Sequence, residues 1–198
     1  HYLLADFEHT ATPQAITIED FGSSQGYNEF AALKKQNYER GETVIATLHS
    51  LEESQLSSGD SSASPARTLA MLGDWHLYNG RREAAFETYQ SSLEELARLE
   101  NAQLRTAMLF GDPVALPSVD GIESLPPTVD PEKGNILIEF SVSQRGKTFD
   151  LKRLDENEEL DSKANRLMRA LRRTKFRPRF DAGQPVETVQ IVKAFNIR

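Results

Sequence analysis

Five carboxylates crowd into one short stretch, Asp155, Glu156, Glu158, Glu159 and Asp161, and paired carboxylates are the residue type that supplies a general acid and its base. Seven cations follow, Arg166, Arg169, Arg172, Arg173, Lys175, Arg177 and Arg179, the kind of stripe that holds phosphates or nucleic acid. A plainer reading covers both groups. Acids at the start of a helix and bases at its end complement the helix dipole. The net charge of −7 and the lack of interleaved aromatics beyond Phe176 and Phe180 also argue against nucleic acid as a partner.

Other reactive groups are sparse. His1, His9 and His49 have no partners at metal-ligand spacing, and cysteine is absent, so no metal is predicted and thiol nucleophiles and disulfides are excluded. Trp75 and His76 are adjacent and suit either a small ligand pocket or, more simply, the packing side of a helix. No Ser-His-Asp order, phosphate loop or nucleotide fingerprint is present. The sequence therefore predicts no catalytic residue, no cofactor and no enzymatic activity.

The elements that carry these residues are read from periodicity. Ile136, Ile138, Phe140 and Val142 alternate with Leu137, Glu139 and Ser141, and Arg145-Gly146 separates them from Thr148-Phe149-Asp150-Leu151, which predicts an antiparallel hairpin. Leu160, Ala164, Leu167, Met168 and Leu171 then form one helical stripe. Pro178 turns Arg177 out of helical space, and Val186 to Ile197 runs extended with Val189, Ile191, Phe195 and Ile197 on one face. The expectation is a three-stranded antiparallel sheet packed by one helix.

The first half has helical texture instead. Leu69, Leu72, Trp75, Ala85, Phe86, Tyr89, Leu93 and Leu96 recur at steps of three and four, interrupted at Asn79-Gly80, which predicts two helices joined by a tight turn. Pro65 suits a first helical turn, with Ser64 as its cap. An earlier segment, Phe30 to Leu51, has the same spacing, with Gly41 answering to Gly80 and Ala46 to Ala85, so a second hairpin is expected there. The serine-rich stretch Ser57 to Ser64 reads as a loop between them. Residues 1–25 receive no assignment beyond weak alternation at Ala15 to Ile18.

Between the halves, residues 111–133 hold Pro113, Pro117, Pro126, Pro127 and Pro131 and read as an extended, semi-rigid connector. Its apolar residues Val114, Leu116, Val119, Ile122 and Leu125 suit a segment lying along a surface as well as a tether. Charge shifts at the same place: residues 1–110 carry 8 Lys/Arg against 16 Asp/Glu, and 111–198 carry 15 against 14. Two domains of different kind are expected, 1–110 and 134–198.

Two resemblances add to this reading. Leu72-Gly73, Gly80, Ala85, Tyr89 and Ser92 fall at the spacing of a tetratricopeptide repeat, whose small residues let two helices approach closely. Gly134, Ile136, Ile138, Phe140, Val142, Gly146, Leu160, Ala164, Phe176-Arg177-Pro178, Gly183-Gln184-Pro185-Val186 and Ile191 to Phe195 together resemble the C-terminal domain of TonB-family proteins, over about 65 residues. The second resemblance implies a periplasmic location and a partner, such as an outer-membrane transporter, that adds an extended segment to a sheet edge. Energy-transducing members of that family have an N-terminal membrane anchor and a long spacer. Here a connector of 23 residues reaches only about 70 Å when extended.

The sequence thus predicts an α+β chain, with tetratricopeptide-like helical hairpins followed by a TonB-like domain, acting as a non-enzymatic periplasmic adaptor for a protein or peptide partner. The alternatives are an energy transducer and an envelope-assembly protein in which the two modules pack together. The expected docking residues are Arg67, Asp74 and Tyr78 on the repeat and Val186, Thr188, Gln190 and Val192 on the last strand, the candidate exposed edge. That edge could also pair with its twin to make a homodimer. No stretch is long and apolar enough to span a membrane. The opening His1-Tyr2-Leu3-Leu4, without Met, predicts that any targeting segment or anchor lay upstream and has been removed.

Overall fold

The computed structural model describes residues 24–57, 64–116 and 125–197. The weak alternation at Ala15 to Ile18, most of the serine-rich loop, and Val119 and Ile122 of the connector lie outside them. The chain forms two compact units, residues 1–95 and 96–198. The division therefore falls earlier than the 110/111 boundary suggested by charge and texture.

In the first unit, α1 (Ser24–Ser57) is one uninterrupted helix of 34 residues, so the second hairpin expected around Gly41 is not formed. Gly41 lies in the helix interior and is buried. Its role is clearance: a Cβ there would sit 2.5 Å from Cε2 and Cζ2 of Trp75. A glycine in a helical pattern marks either a stop or a close approach, and at this position it is the second.

The other hairpin forms where the pattern placed it. Helix α2 (Pro65–Tyr78) ends at Asn79, Gly80 adopts φ +79°, and α3 (Arg82–Ala97) follows. Gly80 supplies the left-handed residue that closes the turn. Ser64 occupies the predicted cap position, but its side chain makes no capping hydrogen bond. Small residues set the separation of α2 and α3: a Cβ on Gly73 would lie 2.4 Å from the Tyr89 ring, and buried Ser92 donates its hydroxyl to the Ala66 carbonyl at 2.6 Å.

In the second unit, α4 (Ala102–Phe110) precedes eight short strands: β1 (Val114–Ala115), β2 (Thr128–Val129), β3 (Ile136–Val142), β4 (Thr148–Arg153), β5 (Phe176–Arg177), β6 (Arg179–Asp181), β7 (Gln184–Val186) and β8 (Thr188–Phe195). Helix α5 (Asp161–Arg173) lies between β4 and β5. The main sheet has four strands in the order β2-β8-β3-β4, antiparallel throughout, in place of the expected three. Ile136, Ile138, Phe140, Val142 and Phe195 face Ala164, Leu167 and Leu171 of α5 to make the core.

The fourth strand comes from the proline-rich segment. Thr128 and Val129 pair with Phe195 and Ala194, while Val114 and Ala115 pair with Arg177 and Phe176. The described ends of residues 111–133 are thus both held by the sheet unit. Leu116 is buried, and its N–H donates to the Lys175 carbonyl at 2.9 Å. Two-residue strands bounded by prolines carry no periodicity, which is why composition alone read them as a connector.

Candidate functional site

The last strand differs from its expectation in position and in register. Strand β8 lies between β2 and β3 instead of at the border of the sheet, and Thr128-Val129 covers its end at Ala194 and Phe195. Beyond that cover, no strand among the described residues pairs with the outer side of Thr188 to Lys193. The exposed edge is therefore half of what the sequence suggested.

A bulge shapes this open half. Gln190 adopts φ +55°, and the pairing with β3 shifts register between Phe140 and Val142. One extra residue reverses the alternation on either side of it. Ile191 packs on the core with Phe195, whereas Val189, expected on the same face, is 56% exposed.

The backbone direction follows from the hydrogen bonds. The Phe195 carbonyl accepts from the Asn135 N–H at 2.9 Å, so the polar groups of Phe195 point to β3. Alternation then turns those of Ala194 towards β2 and those of Val192 outward beside them. The Gln190 N–H donates to the Ser141 hydroxyl at 3.3 Å, back towards β3. Val192 itself is 42% exposed, opposite Glu139.

The four residues named on this strand are therefore divided. Thr188 pairs with Val142, and its Oγ1 is buried without a partner among the described residues. Gln190 forms the bulge and Val192 the open edge. Val186 belongs to the separate β6-β7 hairpin, opposite Arg179, because the strand is interrupted at Glu187 before β8 begins. Val189 is the edge residue the sequence reading placed on the opposite face; nothing in a period-two pattern signals a bulge.

The repeat residues are engaged within the first unit. Asp74 accepts a hydrogen bond from the Tyr89 hydroxyl at 2.8 Å, and Tyr78 stacks on Trp75 with ring centroids 6.3 Å apart. On the same helix Ala70 and Leu77 are buried, while Arg67 is exposed. The three docking positions proposed here are not presented as one open surface.

His76 and Trp75 pack against α1. The Trp75 indole N–H donates to the Tyr38 carbonyl at 3.0 Å, and His76 Nδ1 lies 2.9 Å from the Tyr38 hydroxyl, which is 3.2 Å from Glu42 Oε1. One hydroxyl proton cannot serve two acceptors. Either His76 Nδ1–H donates to Tyr38 while Tyr38 donates to Glu42, or Tyr38 donates to Nδ1 and Nε2–H faces Glu42 Oε1 4.0 Å away. Burial holds the imidazole below its usual pKa, a depression opposed by Glu42 and reinforced by Arg81, whose guanidinium sits 4.2 Å from the Tyr38 ring centroid.

The carboxylate cluster is also partly structural. Arg153 binds Asp155 and Asp161 and the Asn157 carbonyl, and Asp155 Oδ2 accepts the Leu137 N–H at 2.9 Å. The Arg153 hydrogen bond is the main reason the Asp155 carboxyl lies below its ordinary range, despite its partial burial. Among the described residues no helix is long and apolar enough to cross a membrane, and no group of three His, Cys, Asp or Glu is placed to hold a metal ion. Compared with family models, with curated proteins and with solved structures, the chain has no match.

Proposed function

We propose that this protein is a non-enzymatic adaptor of the periplasm that captures an extended segment of a partner protein along the outer side of β8. The observation that carries this reading is the open backbone of that strand at Val192, flanked by the exposed side chains of Val189 and Val192. An added strand would gain main-chain hydrogen bonds there and apolar contacts beside them. The resemblance of residues 134–198 to TonB C-terminal domains supports the same mode of binding and the compartment. The attachment of both described ends of residues 111–133 to the sheet unit supports an adaptor over a transducer, since a segment held at both ends provides little reach.

Proline at Val192 removes one outward N–H and leaves the bonds to β3 in place, as proline on a sheet edge does. In Val192→Pro the circular dichroism spectrum should be that of the wild type, while capture of partners from a periplasmic extract is lost. Unchanged capture by a folded Val192→Pro protein would rule the edge out.

A further inference from the structure

Helix α5 and the turn before it carry an arrangement of charge that the fold uses only in part. Arg166, Arg169, Arg172 and Arg173 are all exposed. They form like-charge pairs at 166/169, 169/172 and 169/173, and no carboxylate lies three or four positions from any of them. Such pairs weaken a helix. The helix dipole rewards Arg172 and Arg173 in the last turn but fades before Arg166 and Arg169. Arg169, Arg172 and Arg173 make no ion pair among the described residues.

The acid end mirrors this. Arg153 takes up Asp155 and Asp161, but Glu156, Glu158 and Glu159 are exposed and have no cationic partner among the described residues. One continuous exposed element thus carries Glu156, Glu158 and Glu159 at its start and Arg169, Arg172 and Arg173 at its end, none of them in an ion pair among the described residues.

We infer that this element pairs with its counterpart in a second copy of the chain, antiparallel about a two-fold axis beside Asn165 and Arg166. In that register Glu159 of one copy is level with Arg172 of the other, Glu158 with Arg173, and Ser162 with Arg169. The two-fold repeats each match, as an isologous contact requires. A parallel pairing would set like charges together. Arginine suits the role because its planar fork engages a carboxylate through two hydrogen bonds. The apolar residues of α5 face the sheet core, so the contact is made by exposed charged side chains, whose pairs contribute little each. The association is therefore weak, reversible and sensitive to salt.

Sedimentation velocity over a concentration series tests it with charge reversals at exposed positions. At low ionic strength the wild type should show concentration-dependent dimerisation, lost in high salt. Arg172→Glu/Arg173→Glu and Glu158→Lys/Glu159→Lys should each weaken it about tenfold or more when alone. An equimolar mixture of the two variants should associate again, because each reversed end then meets its opposite; a misfolded variant could not restore it. Val192→Pro should leave the dimer unchanged, which separates this contact from pairing through β8. The inference fails if the wild type is monomeric at every concentration, if the reversals leave dimerisation intact, if the mixture does not associate, or if Val192→Pro abolishes the dimer.

Discussion

The Trp75 indole lies against the backbone of Gly41, closer than any side chain at that position would permit. Thirty-four residues separate the two in sequence, and their contact, with the indole N–H bonded to the Tyr38 carbonyl, joins α1 to the α2-α3 hairpin.

That contact decides the sign of a substitution. In an ordinary helix interior Gly→Ala stabilises by about 0.5–1 kcal/mol. At Gly41 the added methyl must displace Trp75, at a cost of about 1–3 kcal/mol. Gly41→Ala should therefore lower the urea midpoint followed by fluorescence of Trp75, the only tryptophan in the chain. A raised midpoint would contradict the packing.

His76 makes the same interface sensitive to acid. Its folded pKa is depressed by burial, so below an unfolded value of about 6.5 the unfolded chain binds the proton more readily. The stability contributed by this group is complete above that pH and declines as pH falls through it. Thermal unfolding monitored at Trp75 should show a midpoint that drops between neutral pH and pH 5. His76→Gln should flatten that part of the profile.

Asp155 titrates at a lower pH. Its folded pKa lies below the unfolded one because Arg153 and the Leu137 N–H hold the carboxylate, so its contribution is present above about pH 4 and disappears as pH falls through the folded value. Asp155→Ala should destabilise the sheet unit by about 1.5–3 kcal/mol at neutral pH, the range for hydrogen bonds to a charged group. The difference from wild type should shrink in strong acid, as measured by denaturant titration at each pH.

Phe110 tests where the sheet unit begins. It is fully buried, packs edge-on against Phe180 at 5.2 Å, and lies under the Arg177 guanidinium. Phe110→Ala should cost about 3–5 kcal/mol. Residues 96–198 expressed alone should unfold cooperatively, while residues 134–198, which lack Phe110, β1 and β2, should be markedly less stable in the same denaturant series.

The parts of this fold that were legible in the sequence are those with enough length to show a period. The β3-β4 alternation, the α5 stripe and the Asn79-Gly80 turn each involve local rules that tertiary contacts reinforce. The misread parts depend on partners distant in the chain. Gly41 looks like a helix stop until Trp75 is seen against it, and Val114-Ala115 and Thr128-Val129 become strands only because β5 and β8 offer them hydrogen bonds. The bulge at Gln190 reverses Val189 without altering the residue pattern. At the candidate site, Val192 lies on the outer side of β8, whereas Val186, expected in the same strand, belongs to β7, which ends before β8 starts.

The central claim is the open outer side of β8, and hydrogen exchange at single amides measures it directly. In the isolated protein the Val192 N–H should exchange rapidly while its neighbours Ile191 and Lys193, whose polar groups turn to β3, are protected; addition of a partner isolated by capture should then slow Val192. Strong protection of the Val192 amide in the protein alone, or unchanged exchange with that partner bound, would contradict docking along this edge.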